Sequence, residues 1–74
     1  MSNFFIDSQV ELFPDKIQAT VVEKITSHQP GRVWCRGSYW PARLYQLDYS
    51  ITLEPSQQVF AVGIEGITLL IVSE

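Results

Sequence analysis

The sequence predicts a small all-β domain. Its apolar residues are mostly β-branched or aromatic, and they occur in short runs that glycine, proline and polar turn residues separate. Apolar residues at helical spacing are almost absent. The chain has 74 residues, and a chain of this length buries about 60% of its unfolded surface on one core. We therefore expect one domain, near the small end of what folds without a partner.

Five strands are predicted, arranged as a single strand, a hairpin, a long connection and a second hairpin. In the first strand, consecutive Val21 and Val22 break simple alternation and predict a bulge or bend, although the pattern leaves open which valine points inward. The last two strands are joined tightly at Glu65-Gly66 and should pair antiparallel. This order is typical of a small five-stranded OB-type β-barrel, whose closure removes exposed edges. The expected strands lie at residues 18–26, within the hairpin 31–44, at 58–64 and at 67–73.

The hairpin from Gly31 to Leu44 lets two faces be assigned residue by residue. Gly37-Ser38 fits a type II′ turn, which would pair Arg36 with Tyr39 and Arg32 with Arg43. Side chains then alternate between the faces along both strands. The inward face is predicted to hold Val33, Cys35, Trp40, Ala42 and Leu44. The outward face, called the hairpin face below, is predicted to hold Arg32, Trp34, Arg36, Tyr39 and Arg43.

Two segments have weaker patterns. Residues 1–16 are predicted to be an N-terminal extension, a short turn or partly disordered, and residues 17–74 to be the barrel. Ser8 to Glu11 matches a capping box that Pro14 stops, so at most one helical turn is expected, plugging a barrel end or packing on its flank. The alternative is an anchor for a partner or membrane, formed by Phe4, Phe5, Ile6, Leu12 and Phe13. In the connection 45–57, an extended segment could turn four apolar residues inward: Leu47, Tyr49, Ile51 and Leu53.

The hairpin face has three interpretations. It could be a solvated ladder in which arginines stack on the aromatic rings and relieve the predicted Arg32–Arg43 repulsion. It could bind a protein, because Trp, Tyr and Arg are enriched at interface hot spots. It could bind single-stranded nucleic acid weakly, as the same strands of OB barrels do. The net charge of −3 and the short acidic Glu65-Gly66 connection argue against nucleic acid. We therefore predict a protein-binding surface, with nucleic-acid binding as the alternative.

Catalysis, metals and cofactors have little support in the sequence. One cysteine, Cys35, cannot form an internal disulfide, and with one histidine, His28, it cannot complete a zinc shell. His28 follows Ser27 in a predicted turn, where adjacent side chains seldom form a nucleophile–base pair. There is neither a signal-peptide pattern nor a run of the roughly 20 apolar residues that a spanning helix needs. We expect a non-enzyme in the cytoplasm without cofactor or metal.

A set of spaced residues resembles a known domain. Gly31-Arg32-Val33, Gly37 and Trp40-Pro41-Ala42 are followed by Val59, Val62, Ile64-Glu65-Gly66 and Leu69-Leu70. Together they look like the C-terminal OB-fold domain of the NfeD family, over residues 19–73. Ser56 departs from the pattern, because such domains often have glycine there.

The resemblance implies a fold and a class of partner. Fuller members of the family carry this barrel on transmembrane helices, sometimes behind a serine protease domain, and work with stomatin-like membrane proteins. Only the barrel is expected in this chain. Its partner would then be a stomatin-like protein or a second copy of the domain, and the chain would be peripheral to a membrane through that partner.

Overall fold

Seven strands make up the computed structural model, which describes residues 9–74. The predicted anchor residues Phe4, Phe5 and Ile6, and Ser8 of the predicted capping box, lie outside the described residues. The strands are β1 (Val10–Glu23), β2 (Ile25–Thr26), β3 (Gly31–Cys35), β4 (Ser38–Leu44), β5 (Thr52–Leu53), β6 (Gln58–Glu65) and β7 (Thr68–Val72).

Five of these strands close into a barrel in the order β1-β3-β4-β7-β6, with β6 returning to β1. Every neighbouring pair is antiparallel except β4 and β7, which run parallel from Ala42↔Leu69 to Leu44↔Ile71. The short β2 and β5 form a separate two-stranded sheet. Numbered along the chain, the barrel strands follow the order 1-2-3-5-4. The predicted all-β, five-stranded OB-type barrel is confirmed.

The first strand begins earlier than predicted. Val10 to Leu12 pair with β6 from Glu65 to Gly63, so the helical turn expected around residues 8–13 does not form over its described part. A single helical turn fixes several residues for few hydrogen bonds, whereas pairing with β6 supplies partners directly. Pro14 lies where four residues of β1, 13–16, oppose Val62 alone. A bulge of this kind accepts proline because the ladder is already interrupted.

The predicted bulge at the paired valines is confirmed. The register of β1 with β3 shifts between Val21, opposite Val33, and Glu23, opposite Arg32. Val22 is the extra residue. Val21 is buried and Val22 is exposed, which settles which of the two enters the core.

The turn of the first hairpin lies one residue earlier than predicted. Arg36 and Gly37 are its central residues, with φ of 53° and 81°, and Cys35 faces Ser38. Positive φ at both central positions defines a type I′ turn, so the predicted type II′ turn at Gly37-Ser38 is wrong. The partners shift by two residues, and therefore the side chains within β3 and β4 stay on their predicted faces, while Arg36 lies in the turn itself. The predicted Arg32–Arg43 pair is also wrong, because Arg32 faces Pro41.

Pro41 explains this choice of register. Pairs next to a two-residue turn alternate between those that exchange N–H···O bonds and those that do not. With Arg36-Gly37 as the turn, Pro41 falls at a pair that exchanges none. The predicted turn would have put Pro41 at a pair that needs its missing N–H. The observed register thus loses no hydrogen bond to the proline.

The core fills the barrel with aliphatic side chains from every strand. No polar or charged residue of the described chain is buried. Cys35 is buried as predicted, and Trp40 packs half-buried at the core's edge. The core residues are Ala19, Val21, Ile25, Val33, Cys35, Ala42, Leu44, Leu53, Val59, Ala61, Leu69 and Ile71.

The connection after β4 turns only half of its apolar residues inward. Leu53 is buried opposite Ile25, and Ile51 is half-buried. Leu47 and Tyr49 are exposed at 65% and 70%, so the inward orientation predicted for them is wrong. The cause is a turn at Asp48, whose backbone oxygen accepts a hydrogen bond from the N–H of Ile51 at 3.0 Å. This reversal ends the extended alternation.

Replacing Gly31 with alanine should destabilise the barrel by about 2 to 3 kcal/mol. A Cβ at Gly31 would collide with the backbone oxygens of Glu23 and Lys24. Gly66→Ala is the matched control, since a Cβ there meets no atom and costs only about 1 kcal/mol for a φ of 64°. Urea unfolding followed by circular dichroism measures both. Equal losses in the two variants would contradict the close approach at Gly31.

Arg36→Asn should stabilise the protein by about 0.5 to 1 kcal/mol, because asparagine tolerates the left-handed backbone of a type I′ turn better than arginine. Ser38→Asn should be neutral or destabilising, since Ser38 lies in β4 where asparagine is unfavourable. Urea midpoints of the two variants separate the two turn placements. A higher urea midpoint for Ser38→Asn than for Arg36→Asn would instead favour a turn at Gly37-Ser38.

Candidate functional site

An exposed aromatic pair forms the centre of the hairpin face. Trp34 and Tyr39 are direct cross-strand partners, and their rings pack edge to face with centroids 4.7 Å apart and planes at 68°. Trp34 is 43% exposed and Tyr39 60% exposed. The observed register creates this contact, because the two residues form a pair without shared backbone hydrogen bonds, where side chains lie closest. The two aromatic residues that the sequence placed on this face are therefore in contact.

A polar row continues the aromatic pair across the barrel. Thr20 of β1 lies between Trp34 of β3 and Gln58 of β6 in the strand register. The Nε2 group of Gln58 donates to Thr20 Oγ1 at 3.1 Å, and Gln18 Nε2 donates to Gln58 Oε1 at 3.0 Å. The surface thus combines two rings with neutral polar groups. These three residues were not predicted from the sequence to belong to the site, although Gln18 and Thr20 alternate with the buried Ala19 and Val21.

The three arginines of the predicted site have different surroundings. Arg43 makes an ion pair with Glu65 and donates from Nη1 to the backbone oxygen of Leu44 at 3.3 Å. Its charge is therefore held toward β6, away from the aromatic pair. Arg32 is exposed and lies opposite Glu23 in the register with β1. Arg36 is exposed in the turn, and no ion pair involves it within residues 9–74.

Cys35 lies beneath this surface and points into the barrel. Its Sγ–H donates to the backbone oxygen of Gln18 at 3.7 Å, which links β3 to β1. Burial raises the pKa of the Cys35 thiol, and the charge of Arg36 opposes part of that rise. A buried thiol with a raised pKa is a poor nucleophile. Cys35 is therefore a packing residue of the core.

The adjacent Ser27 and His28 contact the loop that carries Asp48 and Tyr49. Ser27 Oγ accepts the N–H of Asp48 at 2.9 Å, and the His28 ring packs against Tyr49 with centroids 4.9 Å apart. Among residues 9–74, no three His, Cys, Asp or Glu side chains are grouped so that they could hold a metal ion.

Over the same residues, no helix is long and apolar enough to cross a membrane.

Comparison with known proteins returns no relative. No family model matches the chain, and neither the curated proteins nor the solved structures contain a match to it. The likeness to the NfeD domain stays a prediction.

The Arg43–Glu65 ion pair should contribute a coupling of about 0.2 to 1 kcal/mol to stability that declines as salt is added. A double-mutant cycle with Arg43→Gln and Glu65→Gln, followed by urea unfolding, measures it. The control is the pair of Lys24 and Glu54, whose atoms lie 4.0 Å apart and whose side chains are 58% and 61% exposed. That coupling should be near zero. Equal couplings would mean that Arg43 is not held by Glu65 in solution.

Proposed function

We propose that this barrel is a non-catalytic protein–protein interaction module that binds its partner through the hairpin face. The observation that carries the proposal is the exposed edge-to-face pair of Trp34 and Tyr39, next to the exposed Arg36. The two large rings remain half-exposed to water on the paired strands, which is unfavourable, and they do not add to the core. Tryptophan, tyrosine and arginine are also the residues that dominate the binding energy of protein interfaces.

The surroundings of the aromatic pair favour a protein over a nucleic acid. Gln18, Thr20 and Gln58 offer neutral hydrogen-bonding groups on one side of the rings. Such groups suit peptide carbonyls and amides at an interface, where direct hydrogen bonds accompany an apolar centre. Both strands of the hairpin are paired within the closed barrel, so little ordering of their backbone would be required on binding, which favours affinity.

The alternative is weak binding of single-stranded nucleic acid through the same face, which the exposed rings on β3 and β4 would suit. Charge argues against it. Glu65 neutralises Arg43 and Glu23 lies opposite Arg32, so Arg36 is the one hairpin arginine without an acidic neighbour in these contacts. The β6–β7 connection is a two-residue turn at Gly66-Ile67, too short to form the wall of a groove.

The partner that we propose is a stomatin-like membrane protein or a second copy of this domain. The first follows from the resemblance to the NfeD barrel, and the second from the small size of the domain, to which a second copy would add buried surface. Either partner would present acidic and apolar groups to Arg36 and the two rings. A stomatin-like partner would hold the module at the cytoplasmic surface of a membrane.

Trp34→Ala combined with Arg36→Ala should weaken the complex by about 30-fold for each change, since each hot-spot residue contributes about 2 kcal/mol. Affinity capture from membranes of the native host, using tagged wild type and variant, identifies a stomatin-like partner. Sedimentation equilibrium of the same two proteins measures self-association. Circular dichroism should show the same fold for both, because neither side chain is buried.

The matched control is Lys24→Ala combined with Val10→Ala, which also removes one exposed cation and one exposed apolar side chain. It should leave the complex intact. A complex that survives the hairpin double change, or that both pairs weaken equally, would contradict the proposed surface. Titration with labelled single-stranded DNA and RNA at low salt tests the alternative, and binding that Trp34→Ala abolishes would replace the protein partner with a nucleic acid.

A further inference from the structure

A second surface lies at the other end of β4. The hairpin turn precedes β4 at Ser38, while Leu44 ends the strand, about 20 Å away at the rise of an extended chain. Beside Leu44, a pocket of about 400 Å³ opens between the connection after β4 and the end of β7. The chain after Leu44 is fixed there by the N–H of Tyr45, which donates to the oxygen of Ile71 at 2.9 Å.

The pocket has an apolar floor and an acidic rim. Leu44, Ile51 and Ile71 supply aliphatic groups from the core, while Asp48 and Glu74 are its charged residues. Among the residues that the structure describes, no lysine or arginine lines it. The uncompensated charge here is therefore negative, in contrast to the turn of the hairpin.

Local hydrogen bonds keep Asp48 ionised. Asp48 Oδ1 accepts bonds from the hydroxyl of Ser50 at 2.6 Å and from the N–H of Ser50 at 3.0 Å. These bonds hold the pKa of the Asp48 carboxyl below its usual range. The N–H of Asp48 donates to Ser27 Oγ, which fixes the loop that carries the carboxylate.

Exposed apolar side chains alternate with the rim residues along the same loop. Leu47 and Tyr49 are 65% and 70% exposed, and they flank Asp48 in the sequence. Tyr49 also packs on the His28 ring, so its position is supported from a neighbouring turn. These two side chains lie on the loop beside the pocket and do not line it, so a macromolecule could contact both them and the pocket, whereas a small ligand in the pocket would leave them in water.

We propose that this pocket binds a lysine or arginine side chain of a partner protein, whose neighbouring apolar residues cover Leu47 and Tyr49. The aliphatic stem of such a side chain matches the floor, and its cation lies at the rim near Asp48 and Glu74. The negative rim and a positive side chain are complementary, so the partner segment must be basic. The inference does not depend on the hairpin face, because the two surfaces share no residue.

The test uses a short peptide of alternating leucine and lysine with blocked termini, added to the isotope-labelled protein. Amide shifts should move at residues 44–51 and 71–74 and remain unchanged at 32–39. Asp48→Asn and Glu74→Gln should each weaken the peptide about two- to fivefold, as expected for partly exposed ion pairs. Asparagine can still accept the Ser50 bonds, so the loop should keep its shape.

Two controls separate the pocket from general charge attraction. Glu54→Gln removes one negative charge elsewhere on the body and should leave the affinity unchanged, and a peptide of alternating leucine and glutamate should not bind. Absence of binding, shifts confined to the hairpin face, or equal effects of Asp48→Asn and Glu54→Gln would each overturn the proposal. Loss of partner capture by the hairpin variant would leave this titration unaffected, so the two proposals fail independently.

Discussion

The missing N–H of Pro41 is the constraint on which the hairpin depends. It favours the register in which the turn lies at Arg36-Gly37, and that register places Trp34 against Tyr39. In this register Arg36 adopts the left-handed backbone conformation, while the hydrogen-bond ladder between β3 and β4 stays uninterrupted. Beyond Pro41, β4 is free to pair with β7 from Ala42 onward, so the same residue marks where the parallel pairing that closes the barrel begins.

Side-chain alternation made the faces of the hairpin predictable, whereas its register was not. Both turn placements leave Val33 and Cys35 inside and Trp34 outside, since they differ by two residues in the pairing. The glycine alone is compatible with either type of turn. Pro41 distinguishes the two placements. It has no backbone N–H, so it fits a cross-strand pair that exchanges no hydrogen bonds and does not fit a pair that exchanges them.

The sequence predicted which residue types form the site, but it predicted less well which of them contact one another. The exposed rings followed from alternation within one hairpin. The ion pair of Arg43 joins residues 22 positions apart, and the row of Gln18, Thr20 and Gln58 joins two strands distant in sequence. Such contacts depend on the closed strand order. The turn at Asp48 was missed because local side-chain hydrogen bonds override the alternation of the surrounding apolar residues.

The bulge of β1, in which residues 13–16 lie opposite Val62, bears on how this barrel avoids aggregation. Within the described chain, residues 10–12 pair with β6 along one edge and residues 13–16 form the bulge, while pairing with β3 is confined to residues 20–23. The opposite edge of this segment presents backbone groups that another chain could extend into a continuous sheet. Pro14 removes one donor, the bulge twists the strand, and Asp15 and Lys16 place charges beside it. These three features disfavour strand addition at this edge, while residues 10–12 still pair with β6.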